Sequence, residues 1–199
     1  NKNNIIAIDE FLSTLDRTTA KSVAFCLQKA LRRYQIKLIA CTAHDDLTEY
    51  LKPNLLIVGK SYPSKFIISQ HKNDNIYPFN VVIKETTKEI YRNSRIGELH
   101  YKGKYTGGTK DFLTAYIDGE EAGHLVTTNR MGLSGRKISR VVVHPTFRGL
   151  GVAKQLVQKL INLYPDDIID VTASMAKYNP FLEKAGLRFD KIAIFRSEE

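Results

Sequence analysis

Little in this sequence points to a membrane, a disulfide framework or a metal centre. No apolar run approaches the ~20 residues that a membrane-spanning helix needs, and no signal-peptide or lipidation pattern is present. Only two cysteines occur in 199 residues. Cys26 falls in a helical pattern and Cys41 in an apolar strand, at a spacing that matches no metal motif. Both are expected as buried, reduced thiols, which implies a cytoplasmic compartment, and no metal site is expected. Internal repeats and low-complexity tracts are absent. A block of like charge is also missing: the formal net charge of +9 divides as +3 over residues 1–60, +1 over 61–78 and +5 over 79–199. A spread excess of this kind favours polyanions in general, phosphorylated cofactors and nucleic acid included.

What is present is an ordinary globular composition, 43% hydrophobic and 26% charged. The reading predicts an α/β chain in two parts. In the first, "IIAI" (5–8), "KLIACTA" (37–43) and "NLLIVG" (54–59) read as buried strands. A helix over 18–34 separates the first two, with Val23, Leu27, Ala30 and Leu31 on its inner face, and a short helix over 45–51 follows. Continuous apolar strands alternating with helices indicate a parallel sheet. Residues 61–78, with two prolines and a polar cluster, read as a linker. Beyond it the pattern turns to antiparallel hairpins. Strands are expected at 81–85, 137–145, 167–173 and 188–196, and a hairpin over 111–128 turns at Asp118-Gly119. Helices are expected at 86–98, 149–164 and 179–186, with Leu182 in the core.

The stretch "IIAIDE" is followed by "STLD" and, after a helix, by "ACTAHDD". These three ordered elements resemble the C-terminal half of an ABC-type ATPase domain. The resemblance implies that Asp9 acts on a magnesium shell and that Glu10 polarises the attacking water. Ser13–Asp16 would be a dimer-interface loop and His44 the residue that senses the terminal phosphate. Magnesium does want oxygen ligands on a rigid strand end. The chain contains no G-x-x-x-x-G-K-[ST] loop. Its first residue is Asn1, so residues 1–60 are expected to be a fragment whose phosphate cradle precedes residue 1. Mg-ATP would then belong only to a longer parent protein, which could dimerise through its ATPase part.

"RVVVHPTFRGLGVAKQLVQKL" carries the chemistry. A β-branched strand ends at His144-Pro145, and Arg148-Gly-Leu-Gly-Val-Ala153 opens an amphipathic helix. Glycines let the backbone approach a ligand. The first helical turn offers unpaired amides and the positive end of the dipole, an anion site that Arg148 reinforces. R-x-x-G-x-[GA] after such a strand resembles the acyl-CoA signature of the GNAT acetyltransferase superfamily, over about residues 79–199. A Rossmann site would want G-x-G-x-x-G and a distant acid, which the segment lacks.

The GNAT resemblance implies a mixed sheet with flanking helices and acyl-CoA-dependent transfer of an acetyl group to an unknown amine. Backbone groups of Val141 and Val143 would bind the pantetheine arm, and that near Val143 would polarise the thioester carbonyl. Amides of Arg148, Gly149, Leu150, Gly151, Val152 and Ala153 would cradle the pyrophosphate, and Asn179 would touch the arm. The chain departs from the pattern where a tyrosine often protonates the leaving thiolate: it has Leu182 there, with Tyr178 one turn earlier. Ser139 and Arg140 stand where a catalytic Glu often lies. Candidate bases are His124, Glu121, His100 and His144, an imidazole suiting the task near neutral pH. The alternative is a nucleic-acid-binding or nucleic-acid-modifying module on the same fold, with "HYKGKYTGGTK" (100–110) as its contact loop.

Overall fold

A computed structural model describes residues 5–61, 64–70, 77–100, 103, 107–130, 134–172, 180–190 and 194–196. It separates into two compact units, Asn1–Pro78 and Phe79–Glu199.

In the first unit, β1 (Ile5–Ile8) and β2 (Lys37–Ala40) pair in parallel, Ile5 opposite Lys37 and Ile8 opposite Ala40. Between them runs α1 (Arg17–Tyr34). Asp16 caps it by accepting from the Thr19 N–H at 2.9 Å, and Gln35 ends it in a left-handed conformation, φ 54°. The short α2 (Thr48–Leu51) packs on α1. That contact corrects the expected inner face. The side chains buried on α1 are Ala20, Ser22, Ala24, Phe25 and Gln28, against Leu47 and Tyr50, while Val23 is exposed. Small alanines admit the neighbouring turn closely, and this decides the face over side-chain size.

Four further expectations are corrected here. β3 (Leu55–Ser61) does not join a parallel sheet; it forms an antiparallel pair with β4 (Ser64–Gln70), Leu55 opposite Gln70. Much of the segment read as a linker is therefore strand. A partner two residues away costs little loop entropy, and "KFIIS" has the β-branched content of a strand. β1 is not buried: among the described residues β2 is its one strand neighbour, and Ile5 and Ile6 stay exposed. Cys41, just past β2, is exposed and Cys26 half-buried.

The second unit is a seven-stranded mixed sheet in the order β10-β11-β9-β8-β7-β6-β5. Its strands are β5 (Val81–Glu85), β6 (Thr109–Ile117), β7 (Glu120–Asn129), β8 (Arg136–Val143), β9 (Ile169–Thr172), β10 (Arg188–Asp190) and β11 (Ile194–Arg196). β5 to β8 run antiparallel in succession, β8 and β9 are parallel, and the last two strands return antiparallel. The segment read as one final strand is thus a pair. Asp118 and Gly119, both at positive φ, close the β6–β7 hairpin. The helix α4 (Val152–Leu163) packs on β6, β7 and β8 through buried Val152, Leu156, Val157 and Leu160. Each such side chain contributes roughly 1.5–3 kcal/mol by leaving water. Leu182, in α5 (Phe181–Lys184), is fully buried.

The predicted helix over 86–98 is broken in two. α3 (Lys88–Asn93) is capped by Thr87 and stops at Ser94, whose backbone is extended. A 3₁₀ turn, Ile96–Leu99, follows. Ser94 stops the helix because its hydroxyl turns inward and accepts the Ile96 N–H at 3.1 Å. The break sets this segment on β7 and β8 and leaves a cleft beside it.

Candidate active site

β9 accompanies β8 only from Arg136 to Ile138. From there to Val143, β8 has no strand partner on that side among the described residues. His144 donates its N–H to the Ala122 carbonyl at 2.9 Å. The alternation of an antiparallel ladder then turns Val142 and Arg140 toward β7 and the backbone groups of Val141 and Val143 toward the side that β9 has left. A bulge at Ser139, whose hydroxyl donates to the Val126 carbonyl at 3.0 Å, fixes this phase. Ser139 is therefore a register device.

At the end of β8 the chain makes a 3₁₀ turn, Pro145–Phe147, and enters α4. His144 caps the turn by accepting the Thr146 N–H on Nδ1 at 3.3 Å. Its local role accounts for its position, and it is not among the residues lining the cleft. Arg148 is exposed, and its Nε donates to the Val143 carbonyl at 3.2 Å. This arm ties the loop to the open end of β8. Leu150 is buried and anchors the loop from below. Gly149 and Gly151 have φ of 82° and 87°, and among the described residues nothing beyond its chain neighbours lies within 4 Å of where a Gly151 Cβ would stand. The first intrahelical bond runs from Gln155 N–H to Gly151 C=O at 3.1 Å. The amides of Val152, Ala153 and Lys154 thus have no acceptor within the helix. An exposed cation, an open glycine and a positively polarised helix end form a cradle for a phosphate-bearing ligand.

The opposite face of the sheet carries a second constellation. His124 on β7 is 1% exposed. Its Nδ1 lies 3.0 Å from the Thr114 hydroxyl and its Nε2 2.9 Å from the Ser94 hydroxyl. The Glu121 carboxylate is 3.8 Å from Nε2. Tyr91 meets the imidazole edge-on at 5.4 Å, and its buried hydroxyl has no hydrogen-bond partner among the described residues. Burial raises the Tyr91 pKa, against the opposing charge of Arg140. A cleft of about 480 Å³ opens here, lined by Ile90, Asn93, Ser94, Arg95, Ile96 and Glu121. The structure therefore brings His124 and Glu121 together, while His100 ends the 3₁₀ turn through its backbone and does not line the cleft. Tyr178 and Asn179 lie outside the described residues, as does most of the basic 100–110 loop. Sequence reasoning missed Ser94 and Thr114. A serine that interrupts a helical pattern about two turns after its cap was the available signal.

A third polar cluster, between β6, β8 and α4, is structural. Asp111 accepts from Arg136 Nε at 2.7 Å, Thr127 at 2.6 Å and Tyr164 at 3.2 Å, and Arg136 also pairs with Asp167. Burial opposes ionisation of Asp111, but Arg136 and the two hydroxyls outweigh it and hold its pKa below the usual carboxylate range. The Arg136 guanidinium stacks on the Tyr164 ring. This cluster pins α4 and so the cradle at its start.

In the first unit, Asp9 and Glu10 follow β1, and His44 follows β2, at the same end of the parallel pair. Asp9 accepts the Glu10 N–H at 2.9 Å, Asp16 caps α1, and the His44 N–H donates to Thr42. Among the described residues, no group of three or more metal-ligating side chains converges. No helix there is long and apolar enough to cross a membrane.

Residues 81–193 match the family model described as "Acetyltransferase (GNAT) domain". Curated protein sequences give no match. Similar solved structures include a GNAT family acetyltransferase from Elizabethkingia anophelis with acetyl-CoA bound, at 15% identity over 60% of this chain and 99% of that one, TM-score 0.47. An IAA acetyltransferase from Bacillus cereus is similar at 19% identity, over 56% and 79% of the two chains, TM-score 0.45. A GNAT family acetyltransferase from Brucella melitensis in complex with acetyl-CoA is similar at 14% identity, over 59% and 86%, TM-score 0.45. The family match spans more than half of the sequence, and by it the chain belongs to the GNAT acetyltransferase family.

Proposed function

We propose that Phe79–Glu199 is an acyl-CoA-dependent N-acyltransferase that moves an acetyl group to an amine held in the cleft beside Glu121 and His124. The observation that carries this reading is the Arg148–Ala153 cradle at the open end of β8. Its residues fit the ligand: Gly151 leaves empty the volume a pyrophosphate needs, and the backbone of Val141 and Val143 faces the open side where a pantetheine arm would run. A bound thioester supplies an activated acyl carbon. The chain's residues supply the rest. The cradle orients, the outward backbone of β8 offers hydrogen bonds, and His124 with Glu121 receives the proton that the amine must lose. Calorimetric titration with acetyl-CoA tests the reading. The parent should bind, and Arg148→Ala should weaken binding about tenfold to a hundredfold, the loss of one charge-assisted contact of roughly 1.5–3 kcal/mol. Absence of binding by the parent would remove the proposal.

For residues 1–60 we propose an ABC-type ATPase fragment. Its support is the parallel register that brings Asp9, Glu10 and His44 to one end of two strands. It carries no activity in this chain, which lacks a phosphate loop.

A further inference from the structure

The bonds around His124 run on in both directions. Thr114 Oγ1, bonded to Nδ1, is also 2.8 Å from Thr86 Oγ1, and Thr86 Oγ1 is 3.5 Å from the Phe112 carbonyl. Ser94 Oγ, bonded to Nε2, accepts the Ile96 N–H and lines the cleft. Thr114 is 0% exposed and Ser94 6%. The row thus leads from the cleft to an interior carbonyl, a group that can only accept.

That carbonyl also accepts the Thr86 N–H at 2.8 Å, and with the Thr86 hydroxyl as its second donor the row takes one direction. If Ser94 O–H donates to Nε2, then Nδ1–H donates to Thr114, Thr114 O–H to Thr86, and Thr86 O–H to the Phe112 carbonyl. Every donor then has an acceptor. The tautomer is assigned from this network. Ser94 Oγ, which already takes the Ile96 N–H, keeps a lone pair for the cleft.

Resting on the acyltransferase reading, we propose that Ser94 is a catalytic residue that carries the proton of the acceptor amine to His124. As the amine nitrogen bonds to the acyl carbon and the C–S bond breaks, an N–H proton passes to Ser94 Oγ. The Ser94 proton passes at the same time to Nε2. Imidazolium then lies 3.8 Å from the Glu121 carboxylate, which stabilises it, and Nδ1–H stays on Thr114. The thiolate leaves and takes a proton from water, and His124 returns its proton to water by way of the cleft. No oxidant or further reactant enters. Glu121 is thereby a positioning residue for the charge on His124.

The test needs no knowledge of the natural acceptor. Long-range ¹H–¹⁵N spectra of the parent should show His124 in the Nδ1–H tautomer. Ser94→Ala should turn that single form into a mixture. Acetyl-CoA should stabilise both proteins equally against heat, because Ser94 lies away from the cradle. Titration of n-butylamine into the CoA-loaded parent should shift the Ser94 and Ile96 amide signals. An Nε2–H tautomer in a parent that binds acetyl-CoA would overturn the relay alone, as would silence of those two amides. A parent that does not bind acetyl-CoA would overturn the relay together with the acyltransferase reading.

Discussion

Two pairs of parallel strands occur among the described residues, and they serve opposite ends. β1 and β2 stay paired over their whole four-residue length, yet Ile5, Ile6 and Ile39 are exposed. β8 and β9 part after three residue pairs, yet Ile138, Val142, Ile169 and Val171 are buried. In the second unit a seven-stranded sheet and α4 supply the cover that parallel strands need, so the strands can separate without exposing a core. The gap between them is where we propose that acyl-CoA binds. In the first unit each sheet has two strands among the described residues, and apolar side chains are left exposed. Phe66 is 74% exposed and Ile68 65%. Apolar content therefore specifies a strand, while its neighbours decide whether it is core.

The largest effect expected is at the gap. Gly151→Glu should abolish acetyl-CoA binding, because its side chain would fill the open volume with bulk and a like charge. Strain from a left-handed residue is a separate cost, so Gly119→Glu is the control. Gly119 has the same φ, 87°, and equally open surroundings, but it lies in the β6–β7 turn. That variant should bind as the parent does, with circular dichroism reporting the fold of both. Binding by Gly151→Glu at parental strength would move the cofactor off this loop.

The next effect concerns cover. Leu156→Ala removes a fully buried side chain of the second unit and should cost about 2–5 kcal/mol in urea unfolding. Ile39→Thr, at 64% exposure in the first unit, should stay within about 0.5 kcal/mol. Comparable losses at the two sites would mean that the first unit hides Ile39 in solution.

The same contrast explains what was legible in the sequence. Elements with both a period and a stop signal were read closely: α4 from its leucines and Gly151, and the hairpin from Asp118-Gly119. The cradle was legible because its glycines and arginine are contiguous. The His124 site was only half legible, since Ser94, Thr114 and His124 come from three elements and meet only when β7 pairs with β6 and the broken helix folds over them. In the first unit the parallel pairing of β1 with β2 was legible, and the partner of β3 was not. "NLLIVG" suits a parallel sheet or a hairpin equally, and the choice lay in the segment after it, which two prolines disguised as a linker.

A smaller effect separates two aspartates with depressed pKa values. Asp16 is held down first by the Thr19 N–H at an exposed helix start, and Asp111 by Arg136 and two hydroxyls, against the cost of its burial. A depressed carboxylate stabilises the fold above its unfolded pKa of ~3.9. The contribution disappears as pH falls through the lower folded value. Asp111→Asn should therefore flatten the dependence of the urea midpoint on pH below about 4. Asp16→Asn keeps a capping oxygen and is screened by solvent, so it should change that slope less. A larger change at Asp16 would place the acid-sensitive tie in the first unit.

The smallest expected effect is none at all. Asp9, Glu10 and His44 stand at one end of two parallel strands, where a nucleotide site would put them. Yet acids on a strand end do not hold a triphosphate. Its charge must be met by a loop of backbone amides and a lysine, and the chain has no G-x-x-x-x-G-K-[ST] sequence. The nearest approach, "NLLIVGKS" at 54–61, has Asn54 where the first glycine is needed, and its Leu55–Ser61 part is paired along its length as β3. A strand points its amides alternately to two sides, so it cannot gather them around one phosphate. Calorimetric titration with Mg-ATP should give no heat of binding, with acetyl-CoA run alongside as the positive control. Micromolar affinity for Mg-ATP would mean that the first unit completes a phosphate site by other residues, and the assignment of ligand binding to the second unit alone would be wrong.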